Sequence, residues 1–324
     1  MTRNTWRKYE SAWNLFDTFL IDRKLPFTCP IPISQLRQFA VWADYQRHLA
    51  PSTIKSYISA LSKLQLLLGF DQVPFNSDTW LKAFLQGSEN AKIYEPQKTS
   101  TRRAVTFEIL KLIGHQITYS DWSEFTRSLF WAVSLIAFWG SFRLGELLSV
   151  DNSAFDPFSA LLWDDITFRD DGSLLIHLKS TKTSKFPGDY IDLYPFFDKT
   201  FCPIPALKHY REQSVRAGIF NRFRSVFMLS ANTRLTVSEF IFHINNFLIP
   251  LNILGPYDSI TGHSFRAGIP SSLSTISDPS TISDLKIWSR WTSDSYLLYL
   301  KLQTDQKKAV FQKLENLFRE FLSS

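Results

Sequence analysis

The sequence predicts a mainly α-helical protein with one small antiparallel sheet, an α+β fold arranged in two domains. Apolar residues recur every three or four positions over most of the 324 residues, which is the helical period. Between about 161 and 193 this period gives way to short β-type runs. The length suits two domains of roughly 100–200 residues each.

The first ninety residues predict a bundle of four helices, which we assign to a domain over 1–88. The first helix carries an aromatic stripe at three- and four-residue steps, made of Trp6, Tyr9, Trp13, Phe16 and Phe19. It ends near Pro26, because proline cannot continue a helix. We expect the next three helices over about 34–48, 53–68 and 77–85.

A polar stretch without periodicity runs from Gly87 to Arg103 and predicts an interdomain linker, which we place at 89–103. Its basic end, Arg102 and Arg103, is suited to lie against a phosphate backbone. Charged linkers are also common for solubility alone, so both interpretations stay open.

The second predicted domain, 104–324, places the small sheet between helices. Its strands are expected at about 161–163, 166–168, 174–178 and 190–193, with a turn at Asp170-Asp171-Gly172. Helices are expected on either side, over about 106–117, 123–139, 204–217, 237–247, 265–275, 282–288 and 305–321.

The charge balance favours an anionic partner such as DNA. Lys and Arg number 36 against 30 acidic residues, which gives a net charge of +6 and a pI near 9.2. Ser52, Thr53 and Lys55 at the start of the third helix can bond phosphate oxygens. The same three residues also fit a solvated polar face.

Several classes of protein are disfavoured by composition. The two cysteines, Cys29 and Cys202, make neither a disulfide framework nor a CxxC zinc site. The N-terminus is polar, and no apolar run approaches the roughly 18–20 residues that span a bilayer. We therefore expect a soluble protein of a reducing compartment, with no membrane partner.

Two arginines lie in segments that suit anion binding. Arg143 follows an apolar helix and precedes Glu146 by three residues, so that Glu146 can orient the guanidinium. His263 and Arg266 are also three apart, and a helix beginning there would present both in one direction. The N-terminus of such a helix favours bound anions. Taken alone, the first pair is also typical of a surface arginine in a helical ion pair. His-x-x-Arg by itself occurs widely by chance.

Lysines and tyrosines supply the other candidate groups. Lys179, Lys182 and Lys185 lie around the tip of the predicted hairpin, where they can reach a DNA groove and one can donate a proton; the same run also suits a polar turn. Tyr296 and Tyr299 follow the His-x-x-Arg segment and offer phenol nucleophiles, although tyrosines at such positions often only pack.

In this order the segments resemble the tyrosine recombinase (phage integrase) family. The phrases FWGSFRLGELL, STKTSK, FCPIPALKHY, ITGHSFRAG and SRWTSDSYLLYL are similar to those of its eukaryotic branch, the Crypton transposon and related retroelement recombinases. The resemblance covers about 140–300 by motif and the preceding helical bundle by architecture. It departs from that branch at Ser289, where glycine is usual, and in the short spacing from Trp291 to Tyr299.

The resemblance implies a catalytic set of six residues, namely Arg143, Lys182, His263, Arg266, Trp291 and Tyr299, with Glu146 in support. Tyr299 is preferred to Tyr296 because Tyr299-Leu300 matches the penultimate Tyr-Leu/Ile pair of the family. Lys182 is preferred to Lys179 and Lys185 because it precedes a threonine. The latter two lysines are then expected to contact DNA, as are the residues named above in the third helix and in the linker. The resemblance also implies that 1–88 is a SAM-like core-binding domain that binds DNA and that 104–324 is the catalytic domain.

The resemblance also implies a site-specific recombinase that cuts and rejoins double-stranded DNA through a 3′-phosphotyrosine and mobilises a transposon in the nucleus. It implies no metal ion, ATP, other cofactor or small-molecule substrate. Four protomers would assemble, with the C-terminal helix docked on a neighbour, although docking on its own domain is an open alternative. Other classes are a domesticated, cleavage-inactive DNA-binding protein of this fold, a type IB topoisomerase and a helical scaffold.

Overall fold

The computed structural model describes residues 3–70, 78–93, 101–152, 155–179, 188–255 and 258–272, together with 288, 311, 312, 315, 316, 318 and 319. The chain divides into two compact units, Met1–Lys98 and Thr99–Ser324. It is mostly helical with a small antiparallel sheet, which confirms the predicted fold class. No helix of the described ranges combines the length and the apolar composition needed to cross a membrane.

The helices described in the first unit are α1 (Arg3–Asp22), α2 (Ile33–Tyr45), α3 (Pro51–Leu67) and α4 (Thr79–Ile93). Phe16 and Phe19 of the predicted aromatic stripe of α1 lie in the core, Tyr9 and Trp13 are half-buried, and Trp6 is 53% exposed. Phe16, Phe19 and Phe39 are buried, and their ring centroids lie 5.5–5.7 Å apart. Edge-on and tilted contacts of this kind add to the stability gained by burying the rings.

The second unit contains the elements α5 (Phe107–Thr118), α6 (Glu124–Trp139), α7 (Leu144–Leu147), β2 (Ile166–Phe168), β3 (Leu174–Leu178), β4 (Asp189–Leu193), α8 (Pro203–Arg216), α9 (Val237–Leu248) and α10 (Gly268–Ser272). A two-residue strand, β1 (Thr101–Arg102), pairs in parallel with β5 (Asp258–Ser259). Strands β2, β3 and β4 form the antiparallel sheet in that order. Hydroxyl caps begin three of the helices, at Thr106, Ser123 and Thr236.

Regular structure reaches further into the predicted linker than its composition suggests. Helix α4 continues to Ile93, where the sequence predicts an end near 85. Ser88 Oγ donates to Asp44 Oδ1 at 2.9 Å, so a polar residue without apparent periodicity is bound within the bundle. At the other end, β1 joins Arg102 to the second unit.

The expected strand at 161–163 is wrong. Residues Trp163–Asp165 form a single 3-10 turn, and Leu162 makes only an isolated bridge with Ser225. The reason is the Asp165 carboxylate, which accepts the Leu162 backbone N–H at 2.8 Å and closes the turn. The predicted turn before β3 is confirmed, with Gly172 at a φ of +80° that favours glycine.

Helix α6 is the centre of the second core. Trp139 at its end is buried and contacts the rings of Phe107, Phe196 and Phe318 at centroid distances of 6.3, 4.5 and 5.3 Å. Phe318 and Phe311 are both buried in this chain. These two described residues of the C-terminal segment therefore pack on their own domain here, as one of the two open alternatives has it.

A glycine at the start of α10 permits a close backbone approach. A Cβ at Gly268 would lie 2.4 Å from the Val105 carbonyl oxygen and 2.8 Å from the Phe138 ring. We expect Gly268→Ala to lower the free energy of unfolding of this unit by about 1–3 kcal/mol through overpacking. Gly145→Ala, where nothing lies within 4 Å, is the matched control and should change it by less than about 1 kcal/mol. Thermal unfolding measures both variants, and equal melting temperatures would contradict the prediction.

Candidate functional site

Arg143 directly precedes the short helix α7 as its N-cap and is bound by Glu146. Its guanidinium Nη1 donates to Glu146 Oε1 at 2.7 Å, and its backbone N–H donates to Glu146 Oε2 at 3.0 Å. The Glu146 side chain is only 7% exposed, whereas the Arg143 side chain is 23% exposed. A buried carboxylate thus holds a cation that stays partly accessible, as the three-residue spacing predicts.

Arg266 is distant from Arg143 in sequence but binds the chain close to it. Its Nη1 donates to the Ser141 carbonyl oxygen at 2.9 Å across 125 residues. The Leu144 backbone N–H donates to the Gly262 carbonyl oxygen at 2.9 Å. Arg266 is therefore bonded two residues before Arg143, and the two arginine-bearing segments lie in direct contact.

Ser141 is a residue of the site that sequence reasoning missed. It is buried, and its φ of +46° lies in the left-handed region that residues other than glycine seldom adopt. This conformation turns the chain sharply after α6, between the helix and Arg143. A signal was present, because Gly140-Ser141 directly follows a long apolar helix and such a pair marks a helix C-terminus.

The expectation of a helix that presents His263 and Arg266 together is wrong. Residues 262–267 form successive turns, and α10 begins only at Gly268. Ser264 causes this, because its Oγ accepts the Thr261 backbone N–H at 2.8 Å and stabilises a turn. His263 is exposed while Arg266 is buried. With five residues, α10 is also too short to provide the predicted anion-binding helix terminus.

Lys179, a candidate DNA contact, is bound to groups of its own unit. Its Nζ lies 2.6 Å from Asp165 Oδ2 and donates to the carbonyl oxygens of Pro157 at 2.9 Å and Ala160 at 3.3 Å. The side chain is 24% exposed. An ammonium with three acceptors inside its own unit has its donors already used. We therefore give Lys179 a structural role and do not carry it into the proposed DNA interface.

Five candidate residues lie outside the described residues. They are Lys182, Lys185, Trp291, Tyr296 and Tyr299. Their roles stay predictions of the sequence. Trp288 is the described residue closest to the last three in sequence, and its Nε1 donates to the Trp139 carbonyl oxygen at 3.0 Å.

A tyrosine in one of the family-like phrases has a structural role. Tyr210 in α8 is buried, and its hydroxyl donates to the Val226 carbonyl oxygen at 2.9 Å. Burial raises the pKa of Tyr210 to about 12. A phenol that is harder to ionise and has no access to solvent is unsuited to attack DNA, which leaves the nucleophile to be sought elsewhere.

The candidate phosphate contacts lie in both units. Ser52 and Lys55 are exposed in the first turns of α3, and Thr53 is half-buried beside them. Arg102 belongs to β1, and the backbone N–H of Arg103 donates to the Ser259 carbonyl oxygen at 3.1 Å. The basic end of the predicted linker is thus paired with the segment that leads to His263.

Known structures share this architecture. The integrase of the Tn1549 transposon in complex with transposon right end DNA matches with a TM-score of 0.58 and 13% identity, over 97% of this chain and 94% of that one. The XerH site-specific recombinase bound to difH substrate matches with a TM-score of 0.55 and 16% identity, over 94% and 77%. A lambda integrase dimer bound to a COC′ core site gives 0.51 and 15%, over 91% and 87%.

No protein-family model matches this chain, and no curated protein matches it. At identities of 13–16% the structural likeness establishes the fold, which is that of tyrosine recombinases and integrases. The fold resemblance found in the sequence is therefore confirmed at this level.

Proposed function

We propose that this chain is a site-specific DNA recombinase that cuts and rejoins DNA strands through a covalent phosphotyrosine. The observation that carries the proposal is the convergence of two distant segments, in which Arg266 binds the Ser141 carbonyl beside Arg143. Two arginine-bearing segments in direct contact suit the binding of a single phosphodiester. The fold shared with DNA-bound recombinases adds support.

The two arginines would bind the non-bridging oxygens of the phosphate that is cut. A guanidinium offers a planar pair of donors, which a lysine does not. Donors placed before the reaction for a developing charge contribute roughly 3–4 kcal/mol each to lowering the barrier. The Glu146 carboxylate would keep Arg143 in place without an entropic cost at each turnover.

The proposed step balances as a transesterification. The phenol oxygen of Tyr299, after losing its proton to solvent, attacks the phosphorus, and the bond from phosphorus to the 5′ oxygen breaks. Lys182 gives a proton to that oxygen, while His263 and Trp291 donate hydrogen bonds to the phosphoryl group. A 5′ hydroxyl of another strand later reverses the step. Because the ester energy stays in the linkage, we propose no ATP, metal ion or other cofactor.

The kind of element, the location in the cell and the oligomeric state are proposed from the sequence resemblance and from individual similar structures. We propose that the recombinase mobilises a transposon, in line with the transposon integrase among the similar structures. On the sequence phrases alone, we further propose that the transposon is of the Crypton type and that the protein acts in the nucleus. We propose a homotetramer on DNA, as in the lambda integrase tetramer bound to a Holliday junction, a neighbour with a TM-score of 0.50. Docking of the C-terminal helix on a neighbouring protomer stays a prediction.

The test is covalent trapping on DNA. A duplex selected for binding from a random library is nicked close to each candidate cleavage position, so that the short product diffuses away and religation fails. We expect wild-type protein to form a protein–DNA adduct that survives SDS, without added metal or ATP. Binding measured over a salt series confirms that the selected duplex is occupied.

The alternatives give different outcomes in the same assay. Bound DNA without any adduct would favour the domesticated, cleavage-inactive protein. An adduct accompanied by relaxation of supercoiled DNA but no strand exchange would favour a topoisomerase. Failure to bind any duplex at low salt would favour the scaffold.

A further inference from the structure

An asparagine on α9 binds both backbone groups of a residue in the segment that leads to His263. Asn245 Nδ2 donates to the Ile260 carbonyl oxygen at 3.2 Å, and the Ile260 backbone N–H donates to Asn245 Oδ1 at 2.9 Å. A carboxamide carries one acceptor and two donors on a planar group, so it can pair with a backbone as a neighbouring strand would. We call this pair of hydrogen bonds the Asn245 clamp.

The clamp fills a gap in the pairing of this segment. Before Ile260, the Arg103 backbone N–H donates to the Ser259 carbonyl oxygen at 3.1 Å. After Ile260, the Leu144 backbone N–H donates to the Gly262 carbonyl oxygen at 2.9 Å. Ile260 lies between these points and is 1% exposed. Its polar backbone groups need partners within the protein, since water does not reach them readily.

Helix α9 is a firm support for the clamp. Its buried stripe, Phe240, Ile244 and Leu248, packs in the core of the unit. The Phe240 ring lies 5.7 Å from the ring of Phe265, which directly precedes Arg266. Asn245 follows the fully buried Ile244, so its backbone is tied to the core while its side chain reaches the segment.

We propose that Asn245 is a positioning residue that fixes His263 and Arg266 relative to Arg143, an inference that rests on the proposed function. His263 and Arg266 follow Ile260 by three and six residues. A shift of the segment at Ile260 therefore moves both groups away from the phosphate that Arg143 binds. Asn245 itself acts only through the backbone of Ile260.

The chain offers a matched control at the next position. Asn246 lies on the same helix and is exposed, so Asn245→Ala and Asn246→Ala remove the same amide from adjacent sites. We expect Asn245→Ala to slow adduct formation at saturating DNA about tenfold or more, because misplacement by an ångström can cost about 100-fold. The affinity of Asn245→Ala for DNA should change less than about twofold, since the surface that contacts the DNA phosphates is kept. Asn246→Ala should match wild type in both measurements.

Coupling distinguishes positioning from a general loss of stability. In a His263→Ala, Arg266→Ala background, which lacks both of the side chains that Asn245 positions, Asn245→Ala should slow the residual reaction by less than about threefold, because residues that act through one another are not additive. A full tenfold loss in both backgrounds, or equal rates for the Asn245 and Asn246 variants, would overturn the proposal. If Asn245→Ala does not fold, Asn245→Asp keeps the shape and the acceptor for Ile260 N–H, loses the donor, and should show the same loss.

A readout without activity separates this inference from the proposed function. Amide hydrogen exchange at Ile260 should be slow in wild type, much faster in Asn245→Ala and unchanged in Asn246→Ala. Unchanged exchange in Asn245→Ala would refute the clamp even if the protein recombines DNA. Wild-type protein that forms no adduct would refute the proposed function, and with it the positioning role, even if the exchange result is as expected.

Discussion

Tyr299→Phe is expected to abolish the covalent protein–DNA adduct while DNA binding stays within about twofold of wild type. Phenylalanine keeps the ring but has no oxygen to form a bond with phosphorus, so the reaction cannot begin. Trapping on the nicked duplex measures the adduct, and equilibrium binding to the same duplex measures the affinity.

Tyr296→Phe is the matched control for this variant. It removes the same hydroxyl three residues earlier and should leave the adduct unchanged. The opposite pattern, with an adduct in Tyr299→Phe and none in Tyr296→Phe, would move the nucleophile to Tyr296.

Arg143→Ala and Arg266→Ala are each expected to slow cleavage at least about 100-fold, which is about 2.7 kcal/mol of barrier. Each change removes a guanidinium that would bind the charge developing on the phosphate. Arg266→Ala also leaves the Ser141 carbonyl without this donor, so thermal unfolding is measured with the rate. Single-turnover rates at saturating DNA separate the loss of chemistry from a loss of binding.

Arg127→Ala provides a control of the same spacing. Arg127 Nη2 lies 2.9 Å from Glu124 Oε2, an i,i+3 pair like that of Arg143 and Glu146 but more exposed. Its loss should change the cleavage rate less than about twofold, because surface ion pairs contribute little. Equal rates for Arg127→Ala and Arg143→Ala would remove Arg143 from the site.

Local patterns in the sequence predict the elements well where one interaction dominates. The helical period predicts the buried positions Phe16 and Phe19 of α1, although Trp6 of the same stripe is exposed. Asp171-Gly172 marks a turn because glycine tolerates the positive φ. The Arg143–Glu146 pair follows from three-residue spacing alone. These features need no knowledge of the tertiary structure.

Tertiary contacts explain where those patterns fail. Leu161-Leu162-Trp163 has strand composition, yet a side chain closes a turn there. Lys179 lies in a basic run of the kind that contacts DNA, yet its ammonium pairs with Asp165 and donates to two backbone carbonyl groups. The Asn245 clamp joins α9 to a segment fifteen residues away and has no periodic signature. Such partners are decided by packing, which a single sequence does not display.

The chemical identity of the protein–DNA linkage is the most direct test of covalent catalysis by this chain. Trypsin cleavage after Arg290 and Lys301 releases a peptide that contains both Tyr296 and Tyr299, and fragmentation of the trapped adduct by mass spectrometry assigns the modified residue. We expect a nucleotide joined through its 3′ phosphate to Tyr299, with a free 5′ hydroxyl on the released strand. A 5′ linkage, attachment to a residue other than a tyrosine, or no linkage on fully bound DNA would contradict this mechanism.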